Sequence, residues 1–312
     1  MENHSIHIPV LVDEVTQLLS LKPGEVAVDA TVGDGGHAQL ILSQISPGGF
    51  LIGIDQDPEA TEIAYENLSR QKSNAKFVVV HGSFSHLGGI LKDAGYQRAD
   101  AILFDLGISS RELLSKRGFS FQFDAPLDMR FNPEAPVTAA DIVNSYSKEK
   151  IAQLLWEFGE ERASRRIAEA IFMARRKGKI TSTLQLAEIV TAAKGGRPQH
   201  SPRHPQGSRG RQGRIHPATQ TFQALRIAVN DELKLLAETL PQAIQLLNPA
   251  GRIAVISYHS LEDRIVKNIF RDAARAGVVQ LITKKPVRPT REEVLKNPRA
   301  RSAKLRVINK LN

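Results

Sequence analysis

The first third of the chain alternates short apolar runs with segments of helix length. Four of these runs resemble buried strands, at residues 26–32, 50–55, 76–80 and 99–105. Apolar strands joined by helix-length segments are typical of βαβ units, in which helices cover both faces of a parallel sheet. The pattern therefore predicts an α/β fold whose ligands bind at the carboxyl ends of the strands.

The strand pattern stops after residue 110 and returns late in the chain. Residues 111 to about 180 have a helical spacing of apolar side chains and helix start signals, among them Thr138 with Asp141. Strands are predicted again at residues 252–257, 278–283 and 304–309. The sequence thus predicts a sheet that is interrupted after strand four by a helical insertion.

This pattern divides the chain into three segments. The first part of the core comprises residues 1–112, the helical insertion residues 113–215, and the second part of the core residues 216–312. The insertion ends in a basic loop rich in Gly, Pro and Arg, and the second part ends in a basic tail. Apolar spacing predicts one long helix over 222–240, and Ser260 with Asp263 is predicted to cap the helix after the 252–257 strand.

A glycine-rich turn follows the first predicted strand. Gly33, Gly35 and Gly36 stand where this strand ends and a helix begins, and glycine there permits a left-handed backbone and close approach to a ligand. Asp55 ends the second strand, where a carboxylate can accept both hydroxyls of an adenosine ribose. These residues predict a nucleotide-type cofactor, with a tight turn and a capping aspartate as the alternative.

Two cofactors fit this turn. Gly33, Gly35 and Ala38 match the dinucleotide fingerprint, which would make the chain a nicotinamide-dependent oxidoreductase. Asp29 in the first strand favours S-adenosylmethionine instead, because this acid could hold the ammonium group of that cofactor. The late pair of short strands also suits a Rossmann-like class I S-adenosylmethionine-dependent methyltransferase sheet. Binding of S-adenosylhomocysteine rather than NAD would separate the two hypotheses.

Asp105 and His259 are the candidate catalytic residues. Asp105 ends the fourth strand, and methylation of a nucleobase amine needs hydrogen-bond acceptors because the amine lone pair is delocalised into the ring. Asp105 could therefore orient either the amine or the cofactor. His259, just after the 252–257 strand, could contact a base or phosphate, and a structural hydrogen bond is the alternative. Direct methyl transfer requires no metal.

The positive charge of the chain is concentrated in two segments. The net charge is +9, residues 194–214 hold six Lys or Arg and no acid, and residues 283–312 hold ten Lys or Arg against two Glu. Such segments predict contact with a polyanion at particular places, with a solvated loop and tail as the alternative. The chain has no Cys, which excludes disulfides and thiolate metal sites and favours a reducing cytoplasm. No apolar stretch approaches the length of a membrane span.

Several long motifs occur in one order along nearly the whole chain. They occupy residues 29–37, 105–110, 117–121, 126–130, 159–162, 216–219, 222–232, 257–264 and 297–304. Together these motifs resemble those of the MraW family, the bacterial small-subunit ribosomal RNA (cytosine-N4)-methyltransferases. Several unusual motifs in one order are far more specific than a glycine turn alone.

The resemblance implies an activity, a partner and a set of site residues. The activity is methyl transfer from S-adenosylmethionine to N4 of one cytidine of 16S rRNA in the P-site decoding region, on the assembled small ribosomal subunit. By position, the cofactor contacts are Gly35, Gly36, His37, Asp55, Phe84 and Asp105. A further contact of the family is a Gln, and Glu112 stands in its place without the amide donor. The insertion is expected to recognise RNA, and a homodimer is compatible with the sequence.

A third hypothesis belongs to a different functional class. A catalytically idle ribosome-assembly factor would bind RNA through the basic loop and tail, and Glu112 in place of the family Gln is the feature that supports it. This hypothesis predicts ribosomal binding without methyl transfer.

Overall fold

The chain folds into two compact units in a computed structural model that describes residues 9–196 and 216–312. The sheet unit comprises Met1–Ser109 and Leu233–Asn312, and the helical unit comprises Ser110–Glu232. Most of the predicted basic loop at 194–214 lies outside the described residues. No helix of the described ranges is long and apolar enough to cross a bilayer.

The described residues form seven strands and thirteen α-helices. The strands are β1 (Val26–Asp29), β2 (Phe50–Asp55), β3 (Lys76–His81), β4 (Ala99–Asp105), β5 (Leu247–Ser257), β6 (Val279–Leu281) and β7 (Lys304–Lys310). The helices are α1 (Val12–Leu19), α2 (Gly36–Gln44), α3 (Pro58–Ser69), α4 (Leu87–Asp93), α5 (Ser110–Leu114), α6 (Ala139–Ser145), α7 (Lys148–Gly159), α8 (Ser164–Arg175), α9 (Thr183–Ala193), α10 (Thr219–Asn230), α11 (Glu232–Gln245), α12 (Ser260–Arg275) and α13 (Arg291–Lys296). Each predicted strand is present, with bounds that shift by a few residues.

The sheet has the order β3-β2-β1-β4-β5-β7-β6. The first five strands in this order run parallel, and β7 is antiparallel to both of its neighbours. The chain runs outward from β1 to β3 and outward again on the other side from β4 to β5, so the switch point lies between β1 and β4. The predicted α/β fold with a Rossmann-like methyltransferase sheet is confirmed, and its topology points to a ligand site at the carboxyl ends of β1 and β4.

Alternating strand residues form two hydrophobic cores, one on each face of the sheet. Ala27 and Leu103 belong to the core that contains residues of α1, α2 and α3. Val28 and Ile102 belong to the core that contains residues of α4, α11 and α12. Because both faces are covered, the central strands are apolar throughout, and their polar residues lie at the strand ends.

The helical unit contains α5 to α10, and α10 belongs to it although the sequence analysis assigned residues from 216 onward to the core. The reason is packing: α10 lies against α6 and α7. A Cβ on Gly159 of α7 would lie 2.7 Å from the carbonyl oxygen of Gln220, so the glycine permits this close approach. The predicted capping box of Thr138 and Asp141 begins α6, as expected.

The predicted long helix over 222–240 is wrong, because the chain breaks it at Asp231. This residue has a left-handed backbone with φ 51°, and it separates α10 from α11. The Asn230 side chain fixes the end of α10: its amide donates to the carbonyl oxygen of Met129 at 2.8 Å, and its oxygen accepts from the N–H of Phe131 at 2.8 Å. Apolar spacing continues across the break, which is why the sequence pattern did not reveal it.

Candidate active site

Three aspartates end neighbouring parallel strands at one edge of the sheet. Asp29 ends β1, Asp55 ends β2 and Asp105 ends β4. Burial, with smaller contributions from the charges of Asp105 and Asp55, raises the pKa of Asp29 to about 8, although the hydrogen bond from the N–H of Thr31 lowers it. No described Lys or Arg forms an ion pair with Asp29 or Asp105. Carboxyls with raised pKa values and no described Lys or Arg as ion-pair partner are typical of functional sites.

Asp55 holds the glycine turn after β1. Its Oδ2 accepts a hydrogen bond from the N–H of Gly33 at 2.9 Å, and its Oδ1 accepts from the N–H of Asp57 at 2.9 Å. Asp57 in turn caps α3, with Pro58 in the first turn. Both the turn and the start of α3 therefore depend on one carboxylate. A carboxylate accepts up to about four hydrogen bonds, so these two are compatible with a ribose contact.

The three glycines of the turn are required for different structural reasons. Gly33 and Gly35 have left-handed backbones, with φ 50° and 89°, and Gly35 is the N-cap residue directly before α2. A Cβ on Gly36 would lie 2.7 Å from Cγ of Pro9, so packing excludes a side chain there. No described atom lies within 4 Å of a Cβ built on Gly33. Among the described residues, the turn is therefore open above Gly33, where a ligand could approach.

Asp105 lies between a tyrosine and a histidine. The hydroxyl of Tyr258 donates to Oδ1 of Asp105 at 2.8 Å, and Nε2 of His37 lies 3.6 Å from Oδ2. The backbone N–H of Asp105 donates to Oγ1 of Thr31 at 2.7 Å. Burial raises the pKa of Asp105 to about 7, the Tyr258 hydrogen bond lowers it, and the charge of Glu262 raises it. The carboxyl therefore titrates near neutral pH, and the Tyr258 hydroxyl orients its Oδ1.

Contacts at both the ring and the backbone N–H position Tyr258. A Cβ on Gly107, which has φ 106°, would lie 3.0 Å from Cδ2 of the Tyr258 ring, so glycine permits the ring to lie there. The N–H of Tyr258 donates to Oε2 of the buried Glu262 at 2.8 Å. Neither Tyr258 nor Glu262 was among the predicted site residues. The 257–264 motif was the available signal for both.

His259 has a structural role at the start of α12. Its Nδ1 accepts from the N–H of Glu262 at 3.4 Å, its N–H donates to Oε2 of Glu262 at 3.2 Å, and its Nε2 lies 3.1 Å from Oε1. The predicted cap at Ser260 with Asp263 is wrong, because this reciprocal pair forms one residue earlier. Asp263 instead accepts from Lys304 and Arg306. The capping role supports the structural alternative considered for His259 and uses Nδ1, whereas Nε2 is buried without a hydrogen-bond partner among the described residues.

Comparison with known proteins agrees with this architecture. The model of the MraW methylase family matches residues 4–311. The chain belongs to the MraW methylase family. Ribosomal RNA small subunit methyltransferase H of Geobacter sulfurreducens is 48% identical over 321 residues, which cover 98% of this chain and 99% of that protein. The protein of the same name from Persephonella marina is 46% identical over 305 residues, again covering 98% and 99%.

A solved structure gives a weaker likeness. An rRNA methylase from Streptococcus thermophilus superposes with a TM-score of 0.44 at 10% identity, covering 96% of this chain and 93% of that one.

Two residues implied by the MraW resemblance lie in different units. Phe84 follows β3 at the carboxyl edge of the sheet, is 8% exposed, and packs edge-on against Phe104 with ring centroids 5.6 Å apart. Glu112 is a buried residue of α5 in the helical unit, and its backbone carbonyl accepts from the Ser115 hydroxyl at 2.7 Å. The geometry within the sheet unit brings together the glycine turn, His37, Asp55 and Asp105. Glu112 is described only within its own unit.

The two phenylalanines of the 117–121 motif pack inside the helical unit. Phe119 stacks on Phe131 with centroids 5.3 Å apart, and Phe121 stacks on His216 with centroids 4.5 Å apart. Phe121 also meets Phe222 edge-on at 4.9 Å. These contacts stabilise the packing within the helical unit.

Proposed function

We propose that the protein transfers a methyl group from S-adenosylmethionine to N4 of one cytidine of 16S rRNA, at the P-site decoding region of the small ribosomal subunit in the cytoplasm. Membership of the MraW methylase family supports methyl transfer, and the names of the curated relatives support small-subunit rRNA as the substrate. The observation that carries the chemistry is Asp105, a largely buried carboxyl at the switch point, whose Oδ1 accepts from the Tyr258 hydroxyl and whose Oδ2 lies 3.6 Å from Nε2 of His37.

The residues of the sheet unit fit the proposed cofactor. At the left-handed turn of Gly33 and Gly35, which is open at Gly33, the protein backbone would approach the cofactor closely, and Asp55 would accept the ribose hydroxyls. Asp29 would meet the ammonium group, whose positive charge offsets the penalty of ionising a buried carboxyl. The remaining proposed contacts are Gly36, His37, Phe84, Asp105 and Glu112.

When bound, the cofactor supplies an electrophilic methyl group on a sulfonium. The chain then has to position the cytosine amine, whose lone pair is delocalised, along the line of attack. We assign this role to Asp105: its carboxylate accepts an N–H of the amine and favours the pyramidal geometry of attack. The nitrogen that has gained the methyl group is acidic, and it loses a proton to water, so no strong general base is required. His259 acts through Glu262 as a positioning residue.

The helical unit is proposed as the part that recognises the RNA substrate, together with the basic loop. Within that loop, Arg209, Arg211 and Arg214 lie outside the described residues. Neutralising these three arginines is expected to weaken binding to small subunits without changing cofactor affinity, because the loop is far from the glycine turn in sequence and its charge suits phosphates.

The first test is a methylation assay. The protein would be mixed with labelled S-adenosylmethionine and small subunits from cells lacking this activity, and the digested RNA would be analysed by mass spectrometry. N4-methylcytidine at one position supports the proposal in full. Binding of S-adenosylhomocysteine without label on the subunits points to another substrate or assembly state. NAD binding in its place would support the oxidoreductase, and subunit binding without cofactor binding would support the assembly factor.

A further inference from the structure

The helical unit carries the single tryptophan of the chain on its surface. Trp156 lies near the end of α7, and its side chain is 59% exposed. Tryptophan usually buries most of its large ring, so exposure on this scale leaves apolar area to be covered by a ligand. Among the residues described, no aromatic ring or cation stacks on the indole. The face of the ring is available for stacking.

Trp156 lines a cleft of about 1150 Å³ between α7 and the start of α8. Gln153 and Trp156 lie three residues apart on one face of α7, as neighbours on a helix do. The lining also includes Arg162, Arg165 and Arg166, which come just before and within the first turn of α8. An aromatic ring and a cluster of guanidinium groups therefore line the same cleft.

The arginine cluster has no ion-pair partner among the described residues. All three side chains are exposed, and none of them forms an ion pair or hydrogen bond with another described residue. Elsewhere in the cleft, Nζ of Lys148 lies 2.8 Å from Oε2 of Glu169, so these two charges offset each other. Glu149 is the remaining acid of the lining. The cleft has a net positive charge that an anionic ligand would neutralise.

An exposed aromatic ring beside free guanidinium groups has the chemistry of a site for single-stranded nucleic acid. Bases stack on the ring whatever their sequence, and guanidinium groups form paired hydrogen bonds with phosphates. We propose that this cleft binds a single-stranded RNA segment, with one base stacked on Trp156 and the backbone phosphates held by Arg162, Arg165 and Arg166. This inference rests on the proposed function, because that function makes RNA the substrate.

Trp156 provides its own probe, because it is the only tryptophan of the chain. The full-length protein would be titrated with an unstructured oligoribonucleotide of about 12 nucleotides, a length within the range of single-strand sites. Base stacking is expected to quench the tryptophan fluorescence. Binding should weaken as salt rises, with a logarithmic slope of about −2 for three phosphate contacts on a single strand.

Variants of the ring and of the arginines measure separately how much base stacking and positive charge contribute to RNA affinity. With a labelled form of the same RNA, Trp156→Ala and the double variant Arg165→Gln, Arg166→Gln are each expected to weaken binding about fivefold or more, and the double variant should also flatten the salt slope. Trp156→Phe should retain part of the affinity, because a smaller ring still stacks. Matched controls lie on α3 and directly after it: Tyr65, 57% exposed, as Tyr65→Ala, and the exposed Arg70 as Arg70→Gln. Neither control should change RNA binding.

Other outcomes would overturn the inference. If the oligonucleotide leaves the fluorescence unchanged, or if the cleft variants bind it like the native protein, the cleft does not bind RNA. If the same variants lose binding to small subunits but not to RNA, the occupant is a ribosomal protein instead. Cofactor binding and subunit methylation, measured on the native protein, report separately on the proposed function. If RNA quenches the tryptophan fluorescence but the native protein transfers no methyl group, RNA binding by the cleft is supported and the proposed function is rejected.

Discussion

The two units differ in whether a buried acidic side chain has a Lys or Arg as its ion-pair partner. In the helical unit, Glu161 is 2% exposed, and its Oε2 lies 2.6 Å from Nζ of Lys194, while its Oε1 accepts from the N–H of Ala163. In the sheet unit, Asp29 and Asp105 are buried at the switch point with no described Lys or Arg as ion-pair partner. The first arrangement fixes structure, whereas the second leaves carboxyls whose pKa values lie near neutral pH.

The largest effect on activity is expected from a substitution of Asp105, one of the switch-point carboxyls. Asp105→Asn keeps the shape of the side chain but removes the charge that would accept the amine N–H. We expect the methylation rate on small subunits to fall by about 100-fold or more, a loss typical of an oriented polar group that acts on the transition state. The free energy of unfolding should not fall, since a buried charge is removed. A rate near that of the native protein would contradict the role of Asp105.

A smaller loss is expected when the ribose acceptor is removed. Asp55→Ala should weaken binding of S-adenosylhomocysteine by about tenfold or more, because hydrogen bonds to a charged group are lost and the Gly33 turn is no longer held. Isothermal titration calorimetry would measure the affinity. Asp57→Asn is the control, since Asp57 caps α3 and the substitution keeps the backbone N–H that donates to Asp55. Unchanged affinity in Asp55→Ala would reject the ribose assignment.

Removing the buried ion pair of the helical unit is expected to lower stability and to leave activity unchanged. Glu161→Gln leaves Lys194, which is 23% exposed, without its carboxylate, and the free energy of unfolding should fall by about 2 kcal/mol. Denaturant unfolding would measure this change. The methylation rate per folded molecule should stay the same, and a selective loss of rate would show that the two kinds of buried acid are not distinct.

The smallest effect is a shift in pH dependence. Because the pKa of Asp105 is raised to about 7, the methylation rate should rise with pH as the carboxyl ionises. The Tyr258 hydroxyl favours the ionised form, so Tyr258→Phe should raise this pKa and move the midpoint of the rate profile to higher pH. His37, Glu262, Asp29 and Asp55 surround the same site and stay unchanged. An equal loss of rate at every pH would indicate that Tyr258 has only a structural role and does not set the pKa of Asp105.

The sequence predicted the sheet unit well because its signals are local. Each strand is a short apolar run, and Asp55 and Asp105 stand directly at strand ends, so parallel pairing brings them to one edge without further information. The hydrogen bond from Tyr258 to Asp105 joins residues that are 153 positions apart, and it depends on the space left by Gly107. No local pattern encodes such a contact.

In the helical unit the sequence predicted helices but not how they end or meet. The break at Asp231 depends on the Asn230 side chain reaching the backbone of Met129 and Phe131, about a hundred residues earlier in the chain. The cleft beside Trp156 likewise arises only when α7 packs against α8. Helical spacing gives the face on which a residue lies, but the neighbour of that face is set by tertiary packing.

The switch-point carboxyls that lack a described Lys or Arg as ion-pair partner also affect how this protein would respond to selection for heat resistance. Asp29 is nearly fully buried, and its pKa is raised from 3.8 to about 8, so its contribution opposes folding increasingly as the pH rises between these two values. A library screened for thermal tolerance alone would therefore enrich neutral replacements at this position. The same replacements would remove the proposed partner of the cofactor ammonium. Directed evolution of this enzyme would have to score turnover together with heat survival, or it would converge on robust but inactive chains.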